Sequence, residues 1–130
     1  MSRINIKEKQ VENKKLSYME YAVTQLGKTE RPFSHPGFPS NPGQFICVCC
    51  SKKLFSSSDK FDSGSGWPSF SNPISKDAVA TTVDRSHGMI RTEVHCSDCQ
   101  AHLGHVFEDG PAPSGLRYCV NGVALKFKQT

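Results

Sequence analysis

The sequence predicts a mainly β fold that combines antiparallel sheets with one N-terminal helix. Only one segment of useful length has helical periodicity, and it lies before residue 30. After residue 43 the chain consists of short segments rich in β-branched and aromatic residues, separated by clusters of Gly, Pro, Ser and Asp. Strands that follow one another without intervening helices are typical of antiparallel sheets.

The predicted helix begins near Ser17 and ends at Gly27. Ser17 and Glu20 have the spacing of a capping box, in which each side chain binds the backbone N–H of the other residue. A glycine just after the last apolar position is a common helix stop. The apolar residues that follow helical spacing are Met19, Ala22, Val23 and Leu26.

A loop and then five strands are predicted after this helix. The segment 31–43 contains four prolines and two glycines, so we expect it to wrap over the domain as a loop. The predicted strands are Gln44–Val48, Ala78–Val83, Met89–Cys96, Leu116–Asn121 and Val123–Phe127. Residues 1–16 are polar and are predicted to form a lead, and residues 17–130 are predicted to form a single domain.

Length, composition and charge favour a globular cytoplasmic protein. A chain of 130 residues, 36% apolar and 22% charged, suits one domain with a real core. No apolar run approaches the ~20 residues that a bilayer requires, and we expect neither a secretory signal nor a membrane partner. Residues 1–31 carry seven Lys or Arg against four Asp or Glu, whereas residues 32–130 carry nine against eight. A nucleic-acid partner is therefore not expected, because the body lacks a basic stripe.

Four of the six cysteines form two C-x-x-C pairs, Cys47/Cys50 and Cys96/Cys99, with 45 residues between them. Two such turns supply the four sulfurs of a tetrahedral zinc site, which would clip two distant hairpins together. Because sulfur fills all four positions, such a zinc is structural. Disulfides, a thioredoxin-like redox pair and unligated core thiols are the alternatives. A cytosolic context disfavours disulfides. The lack of a βαβ pattern disfavours a redox pair, and unligated thiols would leave the matched spacing unexplained.

Cys119 lies in a predicted strand whose alternation places it on one face with Arg117 and Asn121. A guanidinium and an amide beside a thiol favour a lowered pKa and a hydrogen-bonded transition state. On the strand alone, a buried structural thiol next to an unrelated arginine is an equally good interpretation.

Two histidines and the only tryptophan add to the case for a reactive Cys119. His102 and His105 would not share a face of a regular strand, but Gly104 between them favours a bulge that could turn both toward one site. If four cysteines hold the zinc, both histidines are free for acid–base chemistry. Trp67 lies in a glycine-rich loop, where a tryptophan is either a core side chain or the wall of a ligand site.

Together these motifs resemble those of the type B methionine sulfoxide reductases, which act on the R epimer of the sulfoxide. The resemblance covers roughly residues 17–127 in the family's order. The motifs are Glu30-Arg31-Pro32-Phe33, Gly66-Trp67-Pro68-Ser69-Phe70, Gly88-Met89-Ile90-Arg91-Thr92-Glu93-Val94, Cys96-x-x-Cys99-x-Ala101-His102-Leu103-Gly104-His105-Val106-Phe107, Asp109-Gly110-Pro111 and Arg117-Tyr118-Cys119-Val120-Asn121.

The resemblance implies two antiparallel β-sheets with N-terminal helical segments, and one structural zinc held by both cysteine pairs away from the active site. It also implies that residues 17–130 form a catalytic domain that reduces methionine-R-sulfoxide, free or in proteins. Cys119 corresponds to the catalytic cysteine, which attacks the sulfoxide sulfur and is left as a sulfenic acid. Trp67 corresponds to the tryptophan that receives the S-methyl group, and Phe107 is expected to help bind the substrate.

The remaining polar residues of the predicted site are assigned by the same resemblance. His105 is expected to help protonate the departing oxygen, with His102 and Asn121 in support. Arg117 matches a neighbour of the catalytic cysteine in the family motif.

One position departs from the family pattern and changes how the enzyme is expected to recycle. Many members carry a resolving cysteine where this chain has Ser65, and a serine cannot form a disulfide. Cys49 could resolve the sulfenic acid instead, but cysteines much beyond ~7 Å apart between Cα atoms cannot bridge without movement. We therefore expect an external reductant, either thioredoxin or glutathione with glutaredoxin. The protein itself is expected to be a monomer.

Two other functional classes explain only part of the pattern. A zinc-ribbon interaction module would leave Cys119, His105 and Trp67 without a role, and it would need basic residues beside the cysteine pairs. A general thiol peroxidase or disulfide reductase would need no tryptophan for a methyl group.

Overall fold

The computed structural model describes residues 16–130, which contain one helix, nine strands and three short 3-10 turns. The helix is α1 (Tyr18–Leu26). The strands are β1 (Gly43–Cys47), β2 (Lys53–Ser56), β3 (Lys60–Phe61), β4 (Ser69–Phe70), β5 (Val79–Asp84), β6 (Arg91–Cys96), β7 (His102–Phe107), β8 (Arg117–Val120) and β9 (Leu125–Gln129). The predicted lead, residues 1–16, lies almost wholly outside the described residues.

The strands form two antiparallel sheets, as predicted. A three-stranded sheet has the order β2-β1-β9, and a six-stranded sheet has the order β3-β4-β8-β7-β6-β5. The mainly β fold with a preceding helix is therefore confirmed for the described residues.

The capping interactions predicted for helix α1 are present. The Ser17 N–H donates to Glu20 Oε1 at 2.9 Å, and the Glu20 N–H donates to Ser17 Oγ at 3.2 Å. Gly27 ends the helix in the left-handed conformation at φ 73°, which costs little without a Cβ. The buried side chains of Ala22 and Val23 face the domain, and the helix packs against β7.

Aromatic side chains join the two sheets in the core. Phe45 of β1 meets Phe70 of β4 edge to face, with ring centroids 5.0 Å apart, and Phe55 of β2 stacks on Phe70 at 4.3 Å. All three side chains are buried. Because β1 and β2 belong to the small sheet and β4 to the large one, this contact fixes how the sheets pack.

The pairing of β7 with β8 places the predicted site residues together. His105 of β7 lies directly opposite Cys119 of β8. One extra residue, Leu103, interrupts the pairing of β7 with β6, since Val94 pairs with Gly104 while His95 pairs with His102. This is the predicted bulge.

The sequence did not predict four of the nine strands. Three of them, β2, β3 and β4, have two to four residues, too few to show an alternation. The fourth, β7, was not predicted because its bulge and Gly104 break the period-2 pattern. Residues Gly122–Ala124 form a 3-10 turn, so β9 begins at Leu125 rather than at the predicted Val123.

Candidate active site and metal centre

Four cysteine sulfurs form a cluster whose geometry fits a tetrahedral metal. The sulfurs of Cys47, Cys50, Cys96 and Cys99 all lie within 4.8 Å of one another. The Cys47–Cys99 and Cys50–Cys96 pairs are 3.6 Å apart, close to the ~3.8 Å edge that Zn–S bonds of ~2.3 Å give. A disulfide would require about 2.05 Å. The donor set and spacing therefore fit one zinc with no open position.

The two cysteine turns share one backbone design. Each begins at the end of a strand, β1 at Cys47 and β6 at Cys96, and each closes on a residue with positive φ, Ser51 at 69° and Gln100 at 66°. The Ser51 N–H donates to the Cys47 carbonyl at 2.8 Å, and the Gln100 N–H donates to the Cys96 carbonyl at 2.9 Å. Both turns thus aim two sulfurs at one point.

A cavity of about 220 Å³ opens over the β7–β8 pair, on the face that carries Cys119. It brings together Trp67, His105, Phe107, Arg117, Cys119 and Asn121 from the predicted set, and none of the four clustered cysteines lines it. The other lining residues are Thr29, Ser65, Arg91 and Gly104.

Cys119 is half-buried, and its surroundings act on its pKa in opposite directions. Burial raises the pKa of the thiol, while the charge of Arg117 and a hydrogen bond with Ser65 lower it. Arg117 is held by two hydrogen bonds to the carboxylate of Asp109, at 2.9 and 3.1 Å, and its guanidinium lies 4.5 Å from the ring centroid of Phe107. The cation beside the thiol is therefore fixed in place.

Each predicted histidine is paired with its own carboxylate. His105 Nε2 lies 2.8 Å from Asp84 Oδ2, and His102 Nδ1 lies 2.7 Å from Glu93 Oε2. The two rings are 5.7 Å apart between centroids, because the bulge brings both to one face. Only His105 lines the cavity; His102 is buried behind it, and its Nε2 has no hydrogen-bond partner among the described residues.

Trp67 and Asn121 are both anchored through Glu30. The indole Nε1–H of Trp67 donates to the Glu30 carbonyl at 3.0 Å, and the Glu30 N–H donates to Asn121 Oδ1 at 2.9 Å. The Asn121 amide also donates to the Leu103 carbonyl at 2.9 Å. The buried Glu30 carboxylate accepts hydrogen bonds from the N–H groups of Gly122 and Val123, at 2.9 and 3.0 Å.

The family model described as "SelR domain" matches residues 16–129. The chain belongs to the SelR domain family. It is 56% identical over 115 residues to the peptide methionine sulfoxide reductase MsrB of Thioalkalivibrio sulfidiphilus, which covers 88% of this chain and 84% of that protein. It is 46% identical over 130 residues to the MsrB of Saccharophagus degradans, with 99% and 97% covered, and 56% identical over 110 residues to that of Pseudomonas putida, with 84% and 83% covered. The predicted membership of the type B reductase family is confirmed.

Within this SelR domain, the two cysteines outside the cluster have different surroundings. Cys119 lines the cavity, whereas Cys49 is fully buried among core side chains and accepts a hydrogen bond from Gln25 Nε2 at 3.4 Å. Cys49 is not among the cavity residues. A disulfide between Cys49 and Cys119 would therefore require the core to open.

Ser65 belongs to a chain of serine hydroxyls in the SelR domain. Ser63 Oγ lies 2.8 Å from Ser65 Oγ and 2.8 Å from the Oγ of the buried Ser69. Ser69 pairs with Cys119 between β4 and β8, so this chain runs alongside the cavity thiol.

Three functional candidates were not predicted from the sequence: Glu30, Asp84 and Glu93. Glu30 and Glu93 occur in the family motifs without an assigned role. Asp84 ends β5, and only the pairing of β5 with β6 brings it near His105, 21 residues away. Among residues 16–130, no helix is long and apolar enough to cross a membrane.

Proposed function

We propose that this SelR domain reduces methionine-R-sulfoxide, free or in proteins, to methionine through Cys119. The observation that carries the proposal is one cavity that presents the Cys119 thiol opposite His105, beside Arg117, with Trp67 in its lining. A nucleophile, a proton donor and an apolar surface are the three groups that reduction of a methyl sulfoxide needs. The relatives from Thioalkalivibrio sulfidiphilus and Pseudomonas putida are peptide methionine sulfoxide reductases, which agrees with this activity.

In the proposed reaction, the Cys119 thiolate donates an electron pair to the electrophilic sulfur of the sulfoxide. A bond forms between Cys119 Sγ and that sulfur, and the sulfoxide oxygen takes a proton from His105. The resulting hydroxyl then moves to Cys119 Sγ while the S–O bond and the new S–S bond break, which leaves Cys119 as a sulfenic acid and an electron pair on the methionine sulfur. Cys119 is oxidised by two electrons and the sulfoxide is reduced by two, so one proton is consumed and neutral methionine leaves.

The other cavity residues orient these groups. Trp67, held by its indole N–H, and Phe107, held under Arg117, provide apolar surface for the S-methyl group. Both polar ends of the Asn121 amide bind backbone groups, so its contribution is to hold the Trp67 loop against β7. We assign His102 a supporting role behind His105, at 5.7 Å between ring centroids.

We propose that external thiols complete the cycle. One thiol attacks the Cys119 sulfenic acid and releases water, and a second thiol then displaces Cys119 from the mixed disulfide, leaving the external pair oxidised. Thioredoxin, or glutathione with glutaredoxin, supplies such thiols. The buried position of Cys49 and the serine at position 65 count against an internal route.

The metal centre is assigned a structural role in the same proposal. Cys47, Cys50, Cys96 and Cys99 would hold one Zn²⁺, which when bound cross-links the two sheets and supplies no reaction step. We also propose that residues 17–130 act as a single catalytic domain, in the cytoplasm and as a monomer.

Mass spectrometry after one equivalent of methionine sulfoxide tests the chemistry, with no reductant present. We expect one added oxygen on Cys119, trapped by a sulfenic-acid reagent, and one methionine released per chain. Cys49→Ser should give the same product. A disulfide between Cys119 and Cys49, or methionine released without any change at Cys119, would contradict the proposed cycle.

A further inference from the structure

Asp84 is a partly buried carboxylate at the end of β5. It takes no part in the reaction steps proposed above. Its Oδ1 accepts the Ser86 N–H at 3.0 Å and the Ser86 hydroxyl at 2.7 Å. Its Oδ2 faces Arg91 Nη2 at 3.3 Å and His105 Nε2 at 2.8 Å. Four groups therefore converge on this one side chain, on the opposite side of His105 from Cys119.

These contacts determine the protonation state of Asp84. The backbone N–H of Ser86, the bond with His105 and the Ser86 hydroxyl hold the pKa of Asp84 well below its usual range, so the carboxylate is ionised. An ionised carboxylate only accepts hydrogen bonds, so Nε2 of His105 must carry a hydrogen and donate it. The second ring nitrogen, Nδ1, has no hydrogen-bond partner within residues 16–130 and belongs to the ring that lines the cavity.

We propose that Asp84 is a positioning residue for the reaction: its carboxylate holds His105 through Nε2–H and leaves Nδ1 as the nitrogen that gives its proton to the sulfoxide oxygen. This inference rests on the proposed function. The proton leaves Nδ1, the imidazolium becomes neutral imidazole still bound to Asp84, and no other bond of His105 changes. A carboxylate in this position fixes the tautomer and favours the imidazolium before the transfer.

Several charged or titratable groups face His105, so its acidity reflects all of them. They are Asp84 on β5, Arg91 and Glu93 on β6, His102 on β7, and Arg117 and Cys119 on β8. Burial lowers the pKa of His105 most, the bond with Asp84 raises it, and the charges of Arg91 and His102 lower it. These effects leave the pKa of His105 below its ordinary value. The bond with Asp84 is the largest effect that opposes this lowering, so loss of the Asp84 charge should lower the pKa of His105 further.

The structure provides a matched control in the Glu93–His102 pair. This pair has the same chemistry and a similar N–O distance of 2.7 Å, yet His102 does not line the cavity. Glu93→Gln removes a carboxylate charge near the histidines, as Asp84→Asn does, without touching His105 Nε2. Asp84→Glu keeps the charge on a longer side chain.

The test combines NMR titration of His105 with the pH dependence of single-turnover sulfoxide reduction. In Asp84→Asn, the His105 midpoint should fall by about one pH unit or more. The pH above which the single-turnover rate declines should fall by the same amount. Above the wild-type midpoint, Asp84→Asn should therefore be roughly tenfold slower than the wild type. Glu93→Gln should move the His105 midpoint less than Asp84→Asn does. Asp84→Glu should also lower the midpoint less than Asp84→Asn, because it keeps the charge.

The outcomes separate the two proposals. An unchanged His105 midpoint in Asp84→Asn, or a shift equal to that in Glu93→Gln, overturns the role of Asp84 even where the wild type reduces sulfoxide. If Asp84→Asn does not fold, the nitrogen chemical shifts of His105 in the wild type test the same role, because a neutral His105 should carry its hydrogen on Nε2. A neutral ring with its hydrogen on Nδ1 overturns the role of Asp84. A wild-type chain that reduces no sulfoxide overturns the proposed function, whatever the titration shows.

Discussion

At the scale of single residues, Cys119 and Arg117 show how opposing effects set reactivity. Burial disfavours the thiolate, whereas a guanidinium held by Asp109 and the Ser65 hydroxyl favour it. The balance leaves the pKa of Cys119 above its ordinary value. Arg117 therefore keeps a buried thiol within reach of deprotonation.

Replacing Arg117 with methionine should raise the pKa of Cys119, because it removes the cation and leaves Asp109 as a nearby negative charge. The rate of alkylation by iodoacetamide rises with pH as the thiolate forms, so its midpoint should move to higher pH. The control is Arg85→Met, at an exposed arginine outside the cavity, which should leave the midpoint in place. An unchanged midpoint in Arg117→Met would exclude this role of Arg117.

Trp67 makes a second residue-scale prediction. Trp67→Ala removes the apolar surface, and a single methyl contact is worth about 10- to 200-fold in kcat/KM. Trp67→Phe keeps an aromatic face but loses the hydrogen bond to the Glu30 carbonyl, so its loss should be smaller. Steady-state kinetics on methionine sulfoxide measures both variants. Equal losses would show that the hydrogen bond, and not the apolar surface, matters.

At the scale of elements, the close approach of β7 and β8 forms the site. A Cβ at Gly104 would overlap the Cys119 carbonyl oxygen, so only glycine allows this pairing. The bulge at Leu103 then turns both histidines to one face. Site geometry thus depends on the backbone of β7 as much as on its side chains.

Gly104→Ala should therefore destabilise the protein by at least about 2 kcal/mol, since the clash is with backbone that cannot move aside freely. Urea unfolding measures the change. Gly88→Ala is the control, because its added Cβ meets no atom within 4 Å and carries only the roughly 1 kcal/mol cost of a left-handed residue at φ 67°. A smaller loss for Gly104→Ala than for Gly88→Ala would contradict the close packing of β7 on β8.

How much of this could be predicted from sequence also differs between elements. Helix α1 was predictable because its capping residues and apolar positions are local. The strand β7 was not, since the bulge that serves the site also hides the strand's alternation. The cysteine cluster was predictable from the spacing of its two pairs, and the shared face of Arg117, Cys119 and Asn121 was predictable from strand alternation. Glu30 was not, because its partners in the 122–124 turn are 92 and 93 residues away, and only the fold brings them together.

At the scale of the whole molecule, the four-cysteine cluster and the aromatic core both join the two sheets. The first cysteine turn follows β1 of the small sheet, and the second follows β6 of the large one. The cavity lies elsewhere on the large sheet and shares no residue with the cysteine cluster. The cysteine cluster and the cavity are thus separate sites.

Loss of the metal should lower the stability of the whole domain. We expect one zinc per chain by elemental analysis, and Cys50→Ser should lose it together with roughly 4 kcal/mol of unfolding free energy, the loop-closure value for a cross-link of this span. Cys49→Ser is the control, since it keeps all four sulfurs of the cluster. Zinc retained at full stoichiometry in Cys50→Ser would contradict the assigned ligand set.

Reduction of racemic methionine sulfoxide with dithiothreitol tests the central claim most directly. The wild type should consume half of the material and leave the S epimer intact, because one chiral cavity presents Cys119, His105 and Trp67 in a single arrangement. Cys119→Ser should consume none. Failure of the wild type to consume either epimer, or a Cys119→Ser variant as active as the wild type, would contradict catalysis by Cys119.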